Sequence, residues 1–372
     1  MFLAFFVFGW AGDPTLSDLL QTWQDQDDPG SAILLAIKQA GATPLRSETH
    51  ALFLAQSWHG LEPTLLADFN LWGAPYGQTT VEGAVLFRLG NSDWYAWLEP
   101  LPNDARIEYV LQYGEEIQLD PHNPISVTRP IGSYSVLEMP GYAFDPIASG
   151  LETGISKGLI QFEWSSPSLR NRRNVTLYLP PASSSTDRLP LAILCDGSVY
   201  LDQIHVDILL DRLILERRLP SCSLLFVDPV DRNQEYSGDP AFRHLIFNEI
   251  LPHLAQTYGF EPSRLAVMGS SRGAMAAIDL AFSGRNIEFC AAFSPAYHPY
   301  PIDDFMKGGP IKGCTFWLFQ TRFDHWFEEQ TRLQHALEDQ GLILSIKTVS
   351  EGHNLTTWQR HLAEAFTAWL GP

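Results

Sequence analysis

Apolar positions along the chain fall into three regimes. Over residues 14–24 and 28–39 they recur at helical spacing, with Ile33, Leu34, Leu35 and Ile37 in the second stretch and Gly41 behind it. Two short helices are expected there. From about Ser47 to Glu138, short aromatic and branched runs alternate with turn residues, at 51–55, 65–72, 84–89, 94–98 and 107–112. Strands so short and so regularly spaced predict an all-β sandwich of roughly ninety residues. The stretch 140–157 reads as a linker, 172–180 as a strand closing at Pro180, and 181–187 as a solvated loop. Beyond it, apolar runs at 191–195, 223–227, 265–268, 289–293, 315–319 and 343–349 alternate with helical patterns near 203–217, 241–258, 274–283, 326–340 and 356–370. Strands buried on both faces and separated by helices predict a mostly parallel α/β sheet. The expected layout is a helical segment at 1–45, a β-sandwich at 46–145 and an α/β domain at 146–372.

The run 265–268 ends in Gly269-Ser270-Ser271-Arg272-Gly273, and a helix of small residues follows. This is G-x-S-x-G between a strand and a helix, the setting in which a serine hydroxyl stands clear of a sharp turn. Ser/Gly turns of this composition also occur without any chemistry, so the motif needs partners. They come in order. After the strand at 315–319 stands Asp324, and after the strand at 343–349 stands His353. A serine hydroxyl is a weak nucleophile until a histidine takes its proton, and the histidine needs a carboxylate to fix its tautomer. Glu328 is the alternative acid, although helix register places it on a solvated face. His325, His335 and His361 read as surface histidines. The backbone N–H of Arg272 is the expected first oxyanion donor. Gly197 or Ser198, in the loop after 191–195, is the expected second.

Composition narrows the partners. Hydrophobic residues make up 45% of the 372 residues, enough for a large core, and the net charge is -19. That charge disfavours nucleic acid and anionic membrane surfaces. Cys195, Cys222, Cys290 and Cys314 show no C-x-x-C spacing and lie in or beside apolar runs, as reduced buried thiols do in a cytoplasmic protein. No metal or other cofactor is expected. Residues 1–10 are apolar but lack a basic leader and a small-residue cleavage site, so a short buried segment or a misassigned start is expected there rather than a signal peptide. The sequence leaves the oligomeric state open.

Several stretches resemble one family. Pro190-Leu-Ala-Ile-Leu-Cys-Asp-Gly197, Asp228-Pro-Val-Asp-Arg-Asn-Gln-Glu235, the serine turn and Glu351-Gly-His353 stand in the order found in the esterase D-like hydrolases, and among them in the enterochelin (catecholate siderophore) esterases. Trp94-Tyr-Ala-Trp97, the segment 101–109 and Leu119-Asp-Pro-His-Asn-Pro124 resemble the early-set immunoglobulin-like module that precedes such domains, with Gly41-Ala-Thr-Pro-Leu45 as its lead-in. The aromatic residues of that module are expected in its core. The resemblance implies an α/β-hydrolase fold and a serine esterase that opens catechoyl-serine trilactone esters to release iron, with Ser271, Asp324 and His353 as nucleophile, acid and base. It also implies that Arg232 faces the substrate, the alternative being an ion pair with Glu235. Arg272 and Ala274 depart from the aromatic and glycine that relatives carry at the turn. Arg272, with Arg232 or Arg322, is therefore expected to draw in an anionic ester. A feruloyl or acetyl-type carbohydrate or phenolic ester is the alternative substrate, and an inactive binding module is a third reading.

Overall fold

In the computed structural model, which describes residues 15–73, 83–151, 158–296 and 313–371, contacts divide the chain into two units. The first holds Met1–Ala143 with Arg322–His325 and Val349–Gly352, and the second holds the remainder. The apolar stretch 1–10, residues 74–82 and the linker residues 152–157 lie outside the described residues.

The first unit is layered around strand β2 (His50–Gln56). Its sheet runs β1 (Leu45–Arg46), β2, β6 (Trp94–Pro100), β5 (Phe87–Arg88), antiparallel throughout. Alternate residues of β2 and β6 face opposite ways, as pleating demands. Leu52, Leu54, Trp94 and Ala96 pack with Leu20, Trp23, Ile33 and Ile37 of helices α1 (Leu16–Gln24) and α2 (Gly30–Ala40). Ala51, Phe53, Ala55 and Tyr95 pack the other way, with Ile107, Tyr109 and Leu111 of a second sheet. That double burial is why β2 reads as an unbroken apolar run. Helix α1 starts on a capping box between Thr15 and Asp18, and α2 ends on Gly41 at φ +82°.

The second sheet is built on β7 (Arg106–Tyr113), which pairs antiparallel with β3 (Thr64–Ala67), β10 (Gly132–Glu138) and β8 (Glu116–Gln118). Strand β4 (Ala84–Val85) joins β3, and β9 (Ser126–Arg129) joins β10. The turn at 119–124 is tied down by Asp120, whose Oδ2 accepts from the Tyr109 and Thr43 hydroxyls at 2.8 and 2.7 Å. The strand expected over 65–72 is shorter than its apolar run. It stops at Ala67, because Asn70 turns its amide back to accept from the Ala67 N–H and donate to the Leu65 carbonyl.

A charged cluster is buried in this unit. Arg106 Nη1 donates to Glu108 Oε1 at 2.9 Å, Arg129 donates to the same oxygen, and Asp68 Oδ2 accepts from the Glu108 N–H at 2.7 Å. Burial, and next the charge of Glu108, push the Asp68 carboxyl up to about 8. Glu351 pairs with Arg106 in parallel register, and Gly352 packs so close to Asp68 that an added Cβ would fall 2.1 Å from its carboxyl.

The second unit carries a mixed sheet in the order β11 (Leu159–Ser166), β12 (Asn171–Tyr178), β14 (Ser223–Val227), β13 (Leu191–Cys195), β15 (Leu265–Ser270), β16 (Ile287–Phe293), β17 (Thr315–Phe323), β18 (Ile343–Gly352). Pairing is antiparallel from β11 to β14 and parallel from β14 through β13, β15 and β16 to β17. Strands β13 and β14 are buried along their whole length, as a central parallel strand must be. The helices are α3 (Val206–Leu215), α4 (Arg232–Glu235), α5 (Pro240–His244), α6 (Leu251–Tyr258), α7 (Arg272–Ala281), α8 (Phe327–Asp339) and α9 (Leu355–Leu370). The four cysteines are free and buried. No helix among the described residues is long and apolar enough to cross a membrane.

Candidate active site

Three neighbouring parallel strands, β13, β15 and β16, end on residues that L-amino acids rarely allow. Asp196, Ser271 and Ser294 follow them at φ +62°, +56° and +45°. In open α/β sheets, ligands bind beyond the carboxyl ends of the strands, and strain concentrated there marks where the backbone is held for a purpose.

Ser271 is half-buried between β15 and α7, at φ +56° and ψ −126°. Its N–H donates to the Phe293 carbonyl at 2.8 Å, and its own carbonyl accepts from Ala274 and Ala296 at 3.1 and 3.2 Å. The two flanking glycines are required by space. A Cβ on Gly269 would lie 2.1 Å from the Gly273 carbonyl oxygen, and one on Gly273 would lie 2.6 Å from Asp196 Oδ2. The turn thus closes on itself and lifts the serine side chain off the strand. The ten-residue helix α7 begins at Arg272, so the positive end of its dipole is at the serine.

The loop after β13 lies against this turn through Asp196. Its N–H donates to the buried Tyr236 hydroxyl at 2.7 Å, and its carboxylate takes both arms of Arg232, Nε to Oδ1 at 2.8 Å and Nη2 to Oδ2 at 2.7 Å. Arg232 is therefore paired with Asp196, and Glu235 is not its partner. Glu235 is instead held by Arg173, at 2.6 and 3.1 Å. Arg272 donates to Asn233, next to Arg232 on α4. Asp196, Gly197, Arg232, Arg272 and Ser271 are thus gathered at one place. Gly197 is pressed onto β14, where a Cβ would fall 2.5 Å from the Val227 nitrogen. Ser198 departs from expectation. Its N–H donates to Asp228 Oδ1 at 2.9 Å, and its hydroxyl donates to the same atom. Its amide is therefore engaged, and Gly197 is left as the second oxyanion candidate.

Asp324 follows β17 directly and is 5% exposed. Glu328 lies in the first turn of α8 with its side chain 85% exposed, beside Arg332. Arg322 is exposed near the end of β17. His353 follows β18, one residue before Asn354 caps α9 through the Thr357 N–H at 3.0 Å. The His353 ring meets Trp358 edge to face, with centroids 5.0 Å apart. His361 is not a surface residue. It is 5% exposed, tilted against the Phe319 ring and bonded through Nδ1 to Glu364. Among the described residues no three His, Cys, Asp or Glu side chains gather as a metal site.

Sequence reasoning missed Asp196 as the anchor of Arg232. The Asp-Gly pair at 196–197 read as a turn, and nothing in spacing linked it to an arginine on another loop.

The geometry can be set beside known proteins. Residues 166–342 match the "Putative esterase" family. An iron(III) enterobactin esterase of Dickeya dadantii is 31% identical over 125 residues, covering 32% of this chain and 29% of the relative. One of Yersinia enterocolitica is 29% identical over 152 residues, covering 39% and 43%. The chain thus aligns with less than half the length of these relatives. The fold matches the enterobactin esterase of Shigella flexneri at TM-score 0.67 and 18% identity, over 89% of this chain and 96% of that one. It matches the ferric enterobactin esterase of Salmonella typhimurium at TM-score 0.70 and 18% identity, over 87% and 94%. Residues 166–342 thus match an esterase family, and the chain is similar to iron(III) enterobactin esterases in part of its sequence and in its α/β-hydrolase-like fold.

Proposed function

We propose that this protein is a serine carboxylic ester hydrolase acting on a catecholate siderophore ester, with Ser271 as nucleophile. The observation that carries the reading is the backbone of Ser271, held at positive φ between Gly269 and Gly273 at the head of α7. In this reading His353 takes the Ser271 proton as the hydroxyl oxygen bonds to the ester carbonyl carbon. Asp324, buried where Glu328 is solvated, fixes the His353 tautomer. The N–H groups of Arg272 and Gly197 receive the oxyanion. The tetrahedral species collapses, the alkoxide leaves with the proton from His353, and an acyl-serine remains. Water then attacks that acyl group with His353 as base, which releases the acid and restores Ser271.

Relatives named for iron(III) enterobactin support the choice of substrate, as does the cationic rim. Arg272, which follows Ser271 directly and donates to Asn233 beside Arg232, is read as the cation that draws an anionic ferric catecholate to the serine. The facing sheets of the first unit are read as the early-set immunoglobulin-like module, with its aromatic residues in the core. The free thiols suit a reducing cytoplasm.

The test is hydrolysis of ferric and iron-free enterobactin, p-nitrophenyl butyrate and methyl ferulate by wild type and Ser271→Ala. Ser271-dependent cleavage preferring the trilactone is expected. Turnover of the ferulate or butyrate ester alone would remove the siderophore from the reading, and Ser271-independent turnover would remove the mechanism.

A further inference from the structure

We infer that Ser294 is a positioning residue that aligns the His353 ring through Trp358, and that one short segment after β16 thereby holds both the nucleophile and the base. The inference rests on the reading of His353 as the base.

The first observation is the choice of residue. Ser294 is fully buried and sits at φ +45°, where glycine is unstrained and serine is not. A strained serine in an interior implies a use for its hydroxyl. That use is visible. Ser294 Oγ accepts from Trp358 Nε1 at 3.1 Å and shares a hydrogen bond with Thr321 Oγ1 at 3.1 Å. Its N–H donates to the Phe319 carbonyl at 2.7 Å, so the turn itself is anchored to β17. Glycine there would leave the indole N–H of a tryptophan only 6% exposed without this acceptor.

The second observation is where Trp358 stands. Asn354 caps α9, which places His353 just before the cap and Trp358 at the fourth helical position. Residues at those two positions pack on each other and fix the angle at which the chain enters a helix. Here one member is an imidazole, and the indole meets it at an interplanar angle of 83°. The orientation of the ring is thus set by an indole whose far side is tethered to Ser294.

The third observation joins this tether to the nucleophile. Phe293 accepts from the Ser271 N–H, and Ala296 donates to the Ser271 carbonyl. Residues 293–296 therefore grip the backbone of Ser271 on both sides while Ser294 holds the indole. Moving this turn shifts both reacting groups together, and deleting the Ser294 hydroxyl loosens only one of them.

Ser294→Gly keeps the turn and removes the hydroxyl, and Trp358→Phe keeps an aromatic ring and removes the N–H. Both are compared with wild type, Ser271→Ala and His353→Ala. One readout is kcat and KM for p-nitrophenyl butyrate across pH. The other is the ring resonances of ¹⁵N-labelled histidine, with His353 assigned by its loss in His353→Ala, and these report orientation without turnover. Each variant is expected to lower kcat by about ten- to a hundredfold with KM within about twofold. Each is also expected to move the acid limb of the kcat profile and to displace the His353 resonances. The double variant is expected to be no worse than the worse single one, because both cut one tether. A hydroxyl with a merely structural role would change the melting temperature and leave the pH profile and the His353 resonances in place, and that result overturns the inference. If His353→Ala keeps wild-type turnover, the base assignment fails, while unchanged His353 resonances in Ser294→Gly would independently break the proposed link.

Discussion

A residue at positive φ costs stability unless it is glycine, so Ser271 is a place where function and stability pull apart. Ser271→Ala is expected to cut kcat by at least about a thousandfold, as loss of a triad nucleophile does. Ser271→Gly, equally inactive, should be more stable than Ser271→Ala by about 1 kcal/mol in urea unfolding, because only glycine relaxes at this φ. The flanking glycines test space rather than φ. Gly273→Ala puts a methyl group 2.6 Å from Asp196 Oδ2. It should destabilise by about 1–3 kcal/mol and, by displacing the partner of Arg232, raise KM for anionic esters more than for neutral ones. At this scale the sequence was most legible. Two glycines around a serine carry their geometric reason in the letters themselves. The pairing of Arg232 with Asp196 carried none, because an ion pair between distant loops has no period and no spacing.

Elements were legible where one face or both faces are apolar, and lost where polarity alternates near an edge. The buried runs β13 and β14 appear in the sequence at the bounds the structure gives them. Strand β11 alternates exposed Gln161 and Glu163 with Phe162 and Trp164 and was not read as a strand, and β8 and β9 are short and half-polar. The loop that bears Arg232 shows how such an element is fixed from outside. It is nailed to β12 by the buried pair Arg173–Glu235, with side chains 1% and 2% exposed. Glu235 Oε1 also accepts from the N–H groups of Val230 and Asp231. Arg173→Met leaves that carboxylate buried and without its counter-charge, so a loss of about 3–5 kcal/mol is expected. Arg172→Met breaks only the exposed pair with Glu163 and should cost less than about 1 kcal/mol. Chemical denaturation of the two variants separates the cases.

For the molecule as a whole, the net charge of -19 hides carboxyls that resist ionisation. Burial pushes Asp68 up to about 8, with Glu108 adding to the shift and Arg106 and Arg129 opposing it. Burial likewise pushes Asp279 up to about 6 against the pull of Arg243. Both groups hold protons in the folded state that the unfolded chain has released. Their contribution to stability is full below about pH 4 and is lost as pH rises through about 6 and then about 8. Between pH 5 and 8 these groups should make stability fall with rising pH, by up to about 1.4 kcal/mol per pH unit for each proton released. Asp68→Asn, which cannot ionise, should flatten that slope in urea unfolding followed across pH, and an unchanged slope would place the charge elsewhere. The register of Glu351 on Arg106, and of Gly352 against Asp68, has a further consequence. The first unit is walled by a segment that lies far along the chain from β7. Its completion therefore depends on non-local pairing, whose loop-closure entropy must be met before the contact forms, so the buried charges of β7 are expected to be enclosed late in folding.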